Sequence, residues 1–504
     1  MSTVTELSPS AKSAVTVAVM LAAIMQVLDT TIANVALPHM QGSLSATQEQ
    51  LAWVLTSYIV ASAIMTLPVG WLAGRYGCKS VFVISVAGFT AASVLCGAAS
   101  TLNEMIFFRV LQGIFGAALV PLSQTVLLNI NRKEDHPKAM GLWSASIMIG
   151  PILGPTLGGA LTEYYSWRWS FYINLPIGIM AFLIMLAVMP NTEKVERPFD
   201  KLGFFTLSVT IACLQLILDR GQHVDWFDAA EIQLYCALIL SSLWVYILHT
   251  RTADNPFLSP AVLRDRNFMV SLAFMFFVGL VLLASMALMP PYLQNLMGYP
   301  ILDIGFILAP RGLGTMLGMI VVAKIGARID TRIVILFGLL TAAYSLSMMT
   351  EYNDFVPRHM LIESGLLQGF GLGCIFMPLS NIAYLTMPEE HRAEAAGLFS
   401  LVRNLGGSIG VSIAFALLSR DMQTHHSYLN ENITPYTFVM GLQQFPQEYG
   451  TSLSVLLAGM NNEISRQAAA ISYINSFYFM MWIMLAITPL IFLLKGPAGK
   501  KIKV

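Results

Sequence analysis

The sequence predicts an all-α polytopic membrane protein with 14 transmembrane helices, arranged 6+2+6 as two six-helix bundles around an inserted pair. Three observations carry that prediction. The 504 residues are 56% hydrophobic and only 11% charged, with a mean hydropathy of +0.68, far too apolar for ordinary soluble domains. Apolar runs of roughly 20 residues, the length a helix needs to cross the hydrocarbon core, recur along the whole chain. A set of residues in the first half also returns 256 or 257 positions later in the second. Zero net charge argues against a nucleic-acid partner. The five cysteines (78, 96, 213, 236, 374) are odd in number and lie in or beside apolar runs, so neither a disulfide framework nor a metal site is expected.

The first run, about 14–37, is too long for the apolar region of a cleaved leader and is followed by many others, so it reads as span 1. Spans 2 and 3, about 51–72 and 80–99, are joined by the tight basic turn Gly70-Trp-Leu-Ala-Gly-Arg75-Tyr-Gly77-Cys-Lys79. Spans 4 to 6 follow at about 104–127, 139–162 and 169–189, and the inserted pair at 203–219 and 230–249. The second bundle takes 268–290, 303–325, 331–350, 359–384, 394–418 and 473–494. Residues 419–472 are expected as one long periplasmic loop, with His425 and His426 solvated and helical apolar spacing over about 451–470. A docking surface and a cap over the mouth both fit it. With the amino terminus inside, 20 of the 28 Lys and Arg fall on cytoplasmic segments and only five, Arg168, Arg220, Arg358, Arg420 and Arg466, fall outside. Basic residues are retained inside, so both termini are expected in the cytoplasm.

The repeat accounts for the even number of spans. Leu111-Gln-Gly113, Pro121-Leu-Ser123 and Gly141-Leu-Trp-Ser144 return as Leu367-Gln-Gly369, Pro378-Leu-Ser380 and Gly397-Leu-Phe-Ser400. Span 4 thus matches span 12 and span 5 matches span 13. The expected units are 1–190, 191–267 and 268–504. Many secondary transporters are built from such repeats, with the substrate site between the halves near the midplane.

Four charges sit well inside spans. Asp29 lies in Met25-Gln-Val-Leu-Asp-Thr-Thr-Ile-Ala-Asn-Val-Ala-Leu-Pro38, and the others are Arg109, Arg311 and Arg403. A central Asp costs at least about 2.5–3.5 kcal/mol on insertion scales, so it faces a partner or a wet cavity. Arg109 lies at a similar depth from the outer face, within reach of Asp29. Pairing and separate exposure to water both remain open. Gln26, Asn34, Gln112 and Gln124 are polar positions on spans 1 and 4, suited to a substrate cavity or to interhelical hydrogen bonds. Arg311 and Arg403 would suit an anionic substrate. Gly150-Pro151-Ile-Leu-Gly154-Pro155-Thr-Leu-Gly158-Gly159 puts a smooth stripe on span 5, with two prolines that remove backbone donors. It is either a packing seam or a kinked seam that shifts. The 29 methionines suit an adaptable apolar pocket. No phosphate-binding loop or convergent nucleophile set occurs, so an enzyme is not expected, and uphill transport would draw on an ion gradient.

These motifs together resemble the major facilitator superfamily, specifically its fourteen-span drug:proton antiporters of the EmrB type. Leu28–Pro38 resembles the first-helix motif, Arg109-Val-Leu-Gln-Gly113 the fourth-helix arginine motif and Gly150–Gly159 the antiporter motif. Trp167-Arg-Trp-Ser-Phe-Tyr-Ile-Asn-Leu-Pro176, Leu218–Phe227 and Arg403–Gly410 match further. The inner-loop gate, Gly70, Arg75, Gly77 and Lys79, departs from the superfamily at large, with Gly74 where an acid is usual, as it does in EmrB-like proteins. The resemblance implies a pump in the bacterial inner membrane for amphipathic toxic compounds: drugs, and by extension fatty acids or bile salts. It implies a periplasmic adaptor and an outer-membrane channel as partners, membrane lipid around the helices, and no cofactor. Asp29 would be the proton-linked acid and Arg109 its switchable partner. The competing readings are a transporter of one defined metabolite or ion, and a non-transporting membrane sensor or scaffold.

Overall fold

The computed structural model describes residues 8–431 and 453–494, apart from 133–134, 148, 192–193, 195–197, 222–223, 225, 326–328, 354–355, 386 and 389–390. Asp225, the basic residues Lys133, Arg197 and Arg328 and those beyond 494, the stretch 432–452, and the side chains of Pro151 and Pro155 lie outside the described residues. Among the described residues every regular element is helical.

Helix α1, Pro9–Ser43, starts on Ser8, whose hydroxyl accepts the Ala11 N–H, with Pro9 in the first turn where no donor is missed. It runs past the predicted end at 37 because Met40, in its last turn, and Leu44 just beyond it stay buried against Trp167 and Phe171. A Thr47/Gln50 capping box opens α2, Gln48–Thr66. The chain then bends by 54° into α3, Val69–Tyr76, at Leu67-Pro68, where proline has no N–H to continue the ladder. Gly77 takes φ +88° to turn into α4, Cys78–Ala98, a backbone that other residues rarely adopt. Span 4 is α5, Leu102–Gly116, with α6, Leu119–Ile130. Span 5 is α7, His136–Ile147, with α8, Ile149–Tyr164. Span 6 is α9, Trp169–Tyr172, with α10, Asn174–Val188.

The inserted pair is α11, Lys201–Arg220, and α12, Ala230–Thr252. A short α13, Pro260–Arg264, leads to α14, Arg266–Pro291, which ends in a π turn, Tyr292–Leu296. Then come α15, Ile301–Ile325; α16, Thr331–Thr350; α17, Arg358–Leu385; α18, Arg392–Glu431; and α19, Leu453–Ala486. Twelve described helices are long and apolar enough to cross a membrane, or 13 with the bent α2–α3 pair. The helices α7 and α8, where span 5 is predicted, are not among them, so the described residues account for 12 or 13 of the 14 predicted crossings.

Packing follows the repeat. In the first half α1 lies against α8, α10 and α6; in the second, α14 lies against α18, and α17 against α15 and α16. The inserted α11 touches both halves: Asp219 accepts from Thr56 on α2, and Gln215 donates to Ser408 on α18 at 3.0 Å. By contrast α12 has only 6% of its apolar window buried and exposes Leu234, Leu240 and Trp244, a face for lipid.

The segment 419–472 departs from expectation. Its described parts are helix, with α18 continuing to Glu431 and α19 starting at Leu453. Polarity there marks where a helix leaves lipid, not where it stops, because Gln, Met, His and Glu keep helical propensity in water. The two extensions pair: His426 with Asn461 at 3.1 Å, and Asn475 with Asp421 at 3.1 Å and His425 at 3.2 Å. His426→Cys with Asn461→Cys should therefore form an intramolecular disulfide under mild oxidation, seen as a mobility shift reversed by reductant. The five native cysteines are buried or half-buried and should leave little background. No cross-link would mean that the hairpin is not formed.

Candidate functional site

Asp29 and Arg109 are 1% and 0% exposed and form an ion pair of 2.7 Å between α1 and α5. Removing both charges from water costs several kcal/mol per ion, so the pair is tolerable only if its remaining hydrogen-bonding groups are met. Gln112, one turn beyond Arg109, donates to Asp29 Oδ1 at 2.9 Å and accepts from Arg109 Nη1 at 2.8 Å. Asn174, at the start of α10, donates to the same Oδ1 at 2.9 Å and to Ser93 Oγ on α4 at 2.9 Å. Arg109 Nε donates to the Val54 carbonyl on α2 at 3.0 Å, and the guanidinium lies 4.4 Å from the centre of the Tyr58 ring. Three helices, α1, α5 and α10, thus meet at one carboxylate, and α2 and α4 brace its partners Arg109 and Asn174. Arg109 Nη2 and Asn174 Oδ1 are buried without a hydrogen-bond partner, so the network has spare donor and acceptor capacity.

The glycines of span 5 lie beside this carboxylate. A Cβ at Gly150 would come within 2.7 Å of Val27, one at Gly154 would overlap Thr31 Oγ1, and one at Gly158 would sit 3.3 Å from Val35. These contacts fall on the turns of α1 before and after Asp29. Thr31 also donates to the Gly150 carbonyl at 3.2 Å. Gly159 is buried on the same helix.

The other expected positions are spread along the bundle. Gln26 accepts the Val120 N–H at 3.2 Å, satisfying a donor freed at the α5–α6 break. Asn34 is exposed and donates to Thr30 O, one turn back on its own helix. Gln124 is buried and accepts from Tyr384 on α17 at 3.0 Å, a bond between the halves. Arg311 is buried in the second half and donates to Ser285 at 2.8 Å, whereas Arg403 is half-buried beside Ser400 and Asn404. Around the inner turn, Gly70 packs on α18, where a Cβ would lie 2.7 Å from the Glu394 backbone. Arg75 is exposed and Lys79 half-buried. Among the described residues no group of three or more His, Cys, Asp or Glu is placed to hold a metal ion.

Sequence reasoning gave no role to Asn174, Tyr58 or Ser93. Asn174 carried a signal, a polar residue opening an otherwise apolar span inside Trp167–Pro176. Tyr58 and Ser93 carried none, since small polar and tyrosine residues are common in membrane helices.

The chain matches the family model of the Major Facilitator Superfamily over residues 19–411. It belongs to that superfamily. Similar curated proteins include "Multidrug export protein EmrB" of Haemophilus influenzae, 34% identical over 495 residues, 96% of both chains. "Probable multidrug resistance protein EmrY" of Escherichia coli is 34% identical over 97% of this chain and 96% of its own. "Fatty acid resistance protein FarB" of Neisseria gonorrhoeae is 33% identical over 96% of each. Among solved structures, the human organic anion transporter MFSD10 superposes with a TM-score of 0.62 at 14% identity, over 96% of this chain and 100% of its own. A bacterial homologue of the human lysosomal transporter Spinster, in an inward-facing state, gives 0.56 at 16% identity, over 97% of each. These last two show the fold alone. Superfamily members are transporters and generally not enzymes, and this one is a multi-pass membrane protein.

Two outcomes test the site. Arg109→Gln leaves Asp29 buried without its counter-charge and should cost about 3–5 kcal/mol. The double variant Asp29→Asn/Arg109→Gln should lose less than the two single losses summed, read from thermal unfolding of the purified protein. Strict additivity would show that the pair is not energetically coupled. Gly154→Val should strip transport while the protein still reaches the membrane; full transport would refute a close α1–α8 seam.

Proposed function

We propose that this chain is a proton-coupled antiporter that exports amphipathic toxic compounds across the bacterial inner membrane. One observation carries the reading: a fully buried, hydrogen-bonded Asp29–Arg109 pair seated against a glycine-lined helix. It occurs in a chain similar from end to end to proteins named for multidrug export and fatty acid resistance. A carboxylate that is always paired has no occasion to take up a proton. Coupling therefore requires the pair to form in one state and part in another, with Asn174, on a different helix from Arg109, holding the carboxylate when Arg109 leaves. Each proton moving inward through 100 mV supplies about 2.3 kcal/mol, enough for a roughly fifty-fold gradient of a neutral solute.

In this reading residues 1–190 and 268–504 are the two rocking halves, and 191–267 the inserted pair. With both termini cytoplasmic, the inner side is closed by Gly70 on Glu394, Tyr384 on Gln124, and Arg392 donating to Asn129 at 3.2 Å. The exposed Asn34 then faces the outer opening, and Gln26, Asn34, Gln124, Arg311 and Arg403 border the path of the cargo. The paired extensions of α18 and α19 stand on the periplasmic side, where a membrane-fusion adaptor and an outer-membrane channel would complete a tripartite pump. Efflux driven by an imposed pH gradient in proteoliposomes tests the coupling. Asp29→Asn should reduce gradient-driven efflux at least about tenfold while cargo still binds. Undiminished efflux would remove Asp29 as the proton carrier.

A further inference from the structure

The Asp29 cluster has a counterpart in the second half from which the acid is missing. Adding the repeat offset of 256 to Asp29, Gln112 and Arg109 reaches Ser285, Gln368 and Gly365. The geometry agrees: Gln112 donates to Asp29 and Gln368 to Ser285, at 2.9 and 3.5 Å, and each pair is 83 residues apart. The cation has moved to the neighbouring helix. Gly365 stands where Arg109 would be, and a Cβ built there would lie 3.7 Å from the Cβ of Arg311. Arg311 reaches Ser285 Oγ at 2.8 Å and the Leu282 carbonyl at 3.3 Å. Serine replaces aspartate, however, so the guanidinium meets a hydroxyl where its counterpart meets a carboxylate.

Arg311 is 8% exposed, its Nε is buried without a hydrogen-bond partner, and among the described residues no carboxylate lies within ion-pair distance. Its helix is seated against α17, with Gly369 packed directly on the Arg311 carbonyl. A buried cation is costly without a counter-charge, and the same fold supplies one internally at Asp29. We propose that Arg311, Ser285 and Gln368 form an anion site for the carboxylate of an amphipathic cargo, whose acid group takes the place that Asp29 fills in the other half. The Gln368 amide donates beside the guanidinium, the Ser285 hydroxyl, which here donates to the Val281 carbonyl at 2.7 Å, turns to the anion, and the acyl chain lies along the apolar α14–α17 wall. The assignment rests on the export reading only in calling the ligand a cargo.

Equilibrium binding to the full chain in phosphatidylcholine nanodiscs tests this, with decanoate and its methyl ester as probes. Wild type should prefer the acid. Arg311→Gln should weaken decanoate about tenfold, or ~1.4 kcal/mol, and leave the ester within about twofold. Ser285→Asp supplies the missing carboxylate and should do the same with Arg311 intact, which keeps the test decisive if Arg311→Gln misfolds. Equal loss for acid and ester, unchanged decanoate binding in Ser285→Asp, or no preference in wild type would overturn the site. Loss of decanoate binding when phosphatidylglycerol replaces phosphatidylcholine would overturn the cargo assignment. Arg311-dependent binding without decanoate efflux from proteoliposomes would instead count against the export reading.

Discussion

A carboxylate and a guanidinium with no water around them can coexist only at hydrogen-bond distance, and the first half of this protein is arranged to keep them there. At an effective dielectric near 20 their attraction at 4 Å is only about 4 kcal/mol, comparable to what their desolvation costs. The surplus must come from fixed dipoles. The Val54 carbonyl, the Gln112 amide and the Asn174 amide provide them, and each belongs to a different helix. The convergence of α1, α2, α5 and α10 on one ion pair is thus a requirement of the charge as well as of packing, with α4 bracing Asn174 through Ser93.

The same requirement explains the difference between the halves. Both use glycines 256 residues apart to seat the fifth helix on the first: Gly150 and Gly154 on α1, Gly406 and Gly410 on α14. The frames match while the charges do not. The first half balances its acid internally, with Arg109 as the counter-charge. The second holds a cation over a hydroxyl and has room in its electrostatics for something brought from outside.

How much of this the sequence revealed follows from what hydropathy measures. It reports transfer to lipid, so it located the apolar runs, the orientation bias and the expensive residues Asp29 and Arg109. It cannot report where a helix stops once outside lipid, so α18 continues to Glu431 where a loop is expected, while the helical spacing over 451–470 does foreshadow the start of α19. Nor can it separate a bend from a straight span: Pro68 bends α2 into α3 by 54°, whereas Pro378 sits inside continuous α17. Within the site, the charged pair stood out because charges in lipid are rare. Asn174, Tyr58 and Ser93 did not, because their role depends on which helices meet.

The glycine seam makes the pair sensitive to helix motion. Gly150, Gly154 and Gly158 touch α1 at Val27, Thr31 and Val35, so α8 grips the turns on either side of Asp29 with almost no side-chain padding. A padded interface absorbs a small shift by rotamer changes; one where Cβ atoms would collide transmits it to the backbone. Thr31, hydrogen-bonded to Gly150 O only two residues from Asp29, is the point of transmission. An ion pair held at 2.7 Å loses its hydrogen bond within about 1 Å of displacement. Rocking of α8, which also packs on α15 of the other half through Gly305 and Thr156, would therefore act directly on the turns of α1 that hold Asp29 against Arg109. In the proposed cycle the carboxylate's two roles, structural ion pair and proton carrier, need not compete: they belong to the two positions of one helix.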